Sequence, residues 1–137
     1  MKNSKETEKQ KIGKIGEDIA CRFLMKRGFK VIERNYLKKW GEIDIIAKKD
    51  KILRFIEVKT VSRENVGSIS RETEGYRPEE NVHPKKLQRM ARVIQTYLIE
   101  KGIEDENWQF DVLAIYLDLN NKEAKCRFTE DIILLAT

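Results

Sequence analysis

From Ile12 onward the apolar residues recur at intervals of three and four. Ile12, Ile15, Ile19, Ala20, Phe23 and Leu24 form one stripe, which predicts an amphipathic helix stopped by Gly28. Phe29–Glu33 reads as a short strand and Asn35–Lys39 as a loop. Ile43–Ala47 and Ile52–Lys59 are β-rich runs joined by the polar turn Lys48-Lys49-Asp50-Lys51, the pattern of an antiparallel hairpin. Helical spacing returns at Leu87, Met90, Ala91, Ile94, Tyr97 and Leu98 and stops at Gly102, with Lys85, Lys86, Arg89 and Arg92 on the opposite face. Trp108–Tyr116 alternates as a strand, 118–122 is a turn, and Lys125–Thr129 a last strand before a short apolar tail. The order predicts an α/β or α+β sheet with at least two helices, in a single domain spanning residues 1–137. Two stretches lack a core-forming pattern: residues 1–11, read as a frayed start, and 62–83, polar and read as a mobile loop.

Composition narrows the chemistry. The 28 Lys and Arg exceed the 23 Asp and Glu, and the net charge of +5 favours a polyanionic partner, modestly, because both signs are interspersed. A single histidine, His83 in polar loop sequence, rules out His-rich zinc sites and His–carboxylate triads within one chain. Cys21 and Cys126 lie far apart with no C-x-x-C and read as reduced core thiols. The N-terminus has no apolar signal core and no run nears the ~18 apolar residues of a membrane span, which predicts a cytoplasmic protein with no membrane partner. Chemistry is left to carboxylates, lysines and a metal.

One stretch concentrates those groups. Ile52–Lys59 is nearly continuously apolar, as in a strand covered on both faces, yet ends in Glu57 and Lys59, which share a face. A four-residue loop at 48–51 would pair Asp44 with Phe55 and Glu42 with Glu57, so that Asp44, Glu57 and Lys59 converge with Glu42 beside them. An odd-length loop would send Asp44 to the other face. Glu42 is then a fourth ligand, a partner for Lys59, or a solvated acid. Carboxylates crowded on a half-buried face repel one another, and Mg²⁺ or Mn²⁺ is the natural compensation. Such an ion activates water and steadies the charge on a phosphodiester, with the lysine beside it.

The spacing D-x₁₂-E-x-K, here Asp44 to Glu57-Val58-Lys59, resembles the core of the PD-(D/E)xK nuclease superfamily. Gly13-x-x-Gly16-Glu17-x-x-Ala20, Asn35-Tyr36, Gly41–Ala47 and Phe55–Lys59, with a looser likeness through Pro84-x-Lys86, Tyr97-Leu98 and Phe110-Asp111-Val112, resemble the small YraN-type endonuclease-like family, itself similar to archaeal Holliday-junction resolvases. The resemblance implies an α/β, restriction-endonuclease-like fold: a mixed central sheet of about five strands flanked by helices. It implies a magnesium-dependent endonuclease hydrolysing phosphodiester bonds in DNA, branched or single-stranded. The alternative is a non-catalytic nucleic-acid-binding module of the same fold in a recombination or DNA-processing complex. Carried onto this chain, Asp44 and Glu57 match the metal-binding carboxylates, Lys59 the catalytic lysine and Glu17 the helix-borne acid. Lys86 matches as a nucleic-acid contact, and Arg63, just past the catalytic strand, is a second candidate. Asp111 is expected to be structural, paired with a basic side chain. A homodimer would supply the two sites that symmetric cleavage of two strands needs.

Overall fold

The computed structural model describes residues 6–62 and 83–134; Arg63 and the rest of the expected loop to residue 82 lie outside the described residues, as do residues 1–5 of the expected frayed start. Helix α1 (Glu8–Lys26) begins before its apolar stripe does. Thr7 and Gln10 cap it reciprocally: the Gln10 amide donates to Thr7 Oγ1 at 3.1 Å and the Thr7 amide to Gln10 Oε1 at 2.9 Å. A polar first turn is therefore held by its cap rather than by the core, and residues 8–11 are helical, not frayed. Gly28, at φ +87°, ends the helix in the left-handed conformation while the Phe29 amide reaches back to the Leu24 carbonyl at 3.0 Å.

Five strands follow the chain in spatial order: β1 (Lys30–Lys38), β2 (Gly41–Lys49), β3 (Ile52–Ser62), β4 (Trp108–Asp118) and β5 (Glu123–Thr129). Every junction is antiparallel except β3–β4, whose parallel pairing is made by the crossover through α2 (Pro84–Glu100). The segment 35–38, expected as loop, belongs to β1: Asn35 adopts φ +53° and the chain stays paired to β2 through Lys38↔Gly41. Asp50 and Lys51, at φ +53° and +64°, make a two-residue hairpin turn in place of the four-residue loop. Pairing therefore shifts by two, with Ile46 rather than Asp44 opposite Phe55. An even shift keeps the side-chain faces. His83, expected as a loop residue, caps α2, accepting from the Lys85 amide at 3.1 Å, with Pro84 in the first turn.

The helices cover opposite faces. α1 packs Ala20, Cys21 and Leu24 against Ile45, Ile56, Leu113 and Ile115. α2 packs Met90, Val93, Ile94 and Tyr97 against Ile46, Phe55, Phe110 and Val112. This is the α/β, restriction-endonuclease-like arrangement that the resemblance implies. Asp111 is fully buried in β4 and is structural: Gln109 Nε2 donates to it at 2.8 Å and the Arg54 guanidinium stands at 3.4 Å. Among the described residues no helix is long and apolar enough to cross a membrane.

Candidate active site at the open edge of β3

The β2–β3 ladder runs only as far as Ile45↔Ile56, whereas β3 continues to Ser62 against β4. Among the described residues the β2-facing edge of β3 beyond Ile56 therefore lacks ladder partners, and a side chain takes up an amide there: the Val58 N–H donates to Asp44 Oδ2 at 2.8 Å. β2 changes phase at the same point. Ile45 packs on the α1 side but Ile43, two residues away, packs on the α2 side. Arg34 and Tyr36 flank Asn35 in β1 in the same way, one reaching α1 acids and the other the α2 core. Asp44 is thus held in the seam between the strands rather than on one face, as plain alternation predicts. From the seam it meets groups from both sides of the sheet.

On the α1 side, Gly16 lets the helix press onto β3. A Cβ there would sit 1.9 Å from Thr60 Oγ1, far inside contact distance. The next residue, Glu17, opens with Asp44, Lys59 and Thr60 onto a cleft of about 680 Å³ between α1 and β3. Glu17 is also clamped: Arg34 Nη2 donates to its Oε1 at 3.1 Å and to Asp18 Oδ1 at 2.9 Å.

On the α2 side lies Glu57, 6% exposed. The Lys86 ammonium forms an ion pair with its Oε1, and Lys59 Nζ stands 3.6 Å from the same oxygen. The other oxygen, Oε2, is buried and has no hydrogen-bond partner among the described residues. Such an orphaned acceptor is costly and calls for a donor or a cation.

Electrostatics follow from this crowding. Burial, with Glu57, Glu17 and Glu42 adding to it, pushes the Asp44 carboxyl up to about 7 against the opposing pull of the Val58 amide. Burial, and then the adjacent Lys86, hold the Lys59 ammonium below its usual range, with Glu57 opposing. Burial pulls Lys86 down as well, but its hydrogen bonds to Glu57 and Lys59 and the charges of Glu57 and Asp44 together outweigh that and leave it raised. Burial and Glu17 raise the exposed Glu42.

The structure thus gathers Glu17, Asp44, Glu57 and Lys59 around one split in the sheet, with Glu42 beside them. Lys86 points at Glu57 rather than outward. Its pairing and the Arg34 clamp join distant segments through packing and carry no spacing signal. The one sequence hint is that α2 has no acid in its first turn to answer Lys85 and Lys86. Among the described residues no group of three or more His, Cys, Asp or Glu is arranged to hold a metal ion.

A mixed sheet with one helix on each face and an acid–acid–lysine set at a strand split define a PD-(D/E)xK-like, nuclease-related class of protein. The profile described as "Uncharacterised protein family UPF0102" matches residues 16–115. A UPF0102 protein of Campylobacter jejuni (strain 81-176) is 41% identical over 107 residues, covering 78% of this chain and 85% of that one. One from Campylobacter lari is 43% identical over 104 residues (75% and 81%), and one from Flavobacterium psychrophilum 36% over 124 (90% and 94%). The chain belongs to the UPF0102 family.

Proposed function

We propose that this protein is a metal-dependent nuclease that hydrolyses phosphodiester bonds in DNA, branched or single-stranded, with Mg²⁺ or Mn²⁺ as its cofactor. The observation that carries the reading is the buried Glu57 Oε2, unpartnered among the described residues, with an Asp44 nearby whose carboxyl the site resists ionising. Two carboxylates suit magnesium, which is commonly held by one or two acids, waters and substrate phosphate. When bound, the ion would supply Lewis acidity and an acidified water. Asp44 and Glu57 would hold it, and Lys59, on the cleft wall, would orient the attacking water and meet the phosphoryl charge. Glu17 would act at the cleft rim as far as Arg34 releases it.

The test is cleavage of labelled duplex, flap, junction and single-stranded DNA, with RNA counterparts, in Mg²⁺ or Mn²⁺. Asp44→Asn and Lys59→Ala should each reduce cleavage at least about a hundredfold with the fold intact. No cleavage of any substrate by the wild-type protein would remove the enzymatic reading. A second reading, a non-catalytic nucleic-acid-binding module, is favoured by one observation: Glu57 is already paired with Lys86. It predicts salt-sensitive DNA binding indifferent to divalent ions and to Lys59→Ala.

A further inference from the structure

Among the described residues, Glu57 Oε1 has two ammonium neighbours while Oε2, on the same carboxylate, has no hydrogen-bond partner. The two cations have different origins. Lys59 shares the strand with Glu57 and its place follows from the backbone of β3. Lys86 is brought in by α2, in the first turn of that helix, where the exposed amides disfavour positive charge and no acidic residue offsets it. Its position is therefore held chiefly by Glu57. Both ammoniums converge on the one Glu57 oxygen, while Asp44 takes the Val58 amide instead. A divalent cation arriving between the acids would meet Lys86 as an extra like charge a few ångströms away.

The geometry points to Lys86 as a tethered counter-cation on Glu57 Oε1 that competes with a divalent ion for this carboxylate. This rests on the metal reading of the site and adds a competitor built into the chain. Lys86 is then a positioning residue that sets the affinity of the site for its ion. Withdrawn from Glu57, its ammonium is free for another anion beside the cleft.

The experiment is Mn²⁺ binding to the metal-free full chain, followed by electron paramagnetic resonance and calorimetry, for wild type, Lys86→Met, Lys86→Gln and the neighbouring control Lys85→Met. Melting temperature is read with and without Mn²⁺. Both Lys86 variants should bind Mn²⁺ about tenfold more tightly than wild type, while Lys85→Met binds as wild type does. The Lys86 variants should melt lower without metal and recover more on adding Mn²⁺ than wild type does. Unchanged or weaker Mn²⁺ binding in both variants overturns the inference, and if wild type still binds Mn²⁺ while an added Glu57→Gln variant does not, the metal reading survives. No binding by any of the proteins overturns both. Equal loss of melting temperature with and without Mn²⁺ assigns Lys86 a purely structural role and overturns it as well.

Discussion

Asp44 is a residue whose charge works against the fold. Its folded-state value of about 7 lies above the ordinary 3.8, so the folded protein holds the proton more tightly than the unfolded chain does. The metal-free protein therefore loses stability as pH rises from about 4 through 7, and below that window the two states bind the proton alike. Asp44→Asn keeps an acceptor for the Val58 amide and removes the charge. It should stabilise the chelator-treated protein by ~2–4 kcal/mol at pH 8 and by nothing measurable at pH 4, read from urea midpoints. The same variant is expected to lose cleavage, the signature of a residue kept for chemistry at the expense of stability. At this scale the sequence is legible where partners share a strand or hairpin: Asp44, Glu57 and Lys59 could be brought together from spacing alone. The Lys86–Glu57 and Arg34–Glu17 pairs could not, because they depend on how two helices settle on a sheet.

Among the elements, the contact of α1 with β3 positions Glu17 and closes the cleft. Gly16→Ala should cost ~1–3 kcal/mol, since the added methyl meets Thr60 in β3, which has neighbouring strand to hold it in place. Adding Thr60→Ala should recover part of that loss, and a double-mutant cycle in chemical denaturation measures the coupling. Both helices, their glycine stops and all five strands are readable from periodicity. Their boundaries are less so, for specific reasons. The start of α1 depends on a Thr7–Gln10 cap outside the apolar stripe, and that of α2 on a histidine acting as a cap. The hairpin turn depends on Asp50 and Lys51 taking left-handed conformations, which Asp tolerates but Lys does not announce. The two-residue register shift keeps the faces of the paired residues, while Asp44, beyond the end of the ladder, reaches Val58 through the phase slip instead.

For the molecule as a whole, Asp111 fastens the C-terminal segment to the sheet. The Asp131 amide donates to its Oδ1 at 2.8 Å, the Ile132 amide to the Phe110 carbonyl at 2.8 Å, and Arg54 spans Asp111 and Glu130. Ile132 and Leu134 thereby reach the α2-side core. Asp111→Ala removes an acceptor shared by three donors and should destabilise by about 3 kcal/mol, with hydrogen exchange at residues 130–134 rising before the rest of the chain opens. The class of fold was legible at this scale, since a helix between two strand groups implies a crossover and a parallel junction. The phase slip at Asn35 and Asp44 was not, because alternation assumes an unbroken pleat.

The single parallel junction also sets an order of assembly. Asp44, Glu57 and Lys59 lie within one hairpin, and hairpins close in ~1–10 μs, whereas non-local strand pairing is slower. Lys86 arrives with α2, on the far side of that slower step. Until α2 docks, Glu57 is without its Lys86 partner. Docking of α2 against the sheet and maturation of the reactive seam are therefore the same event.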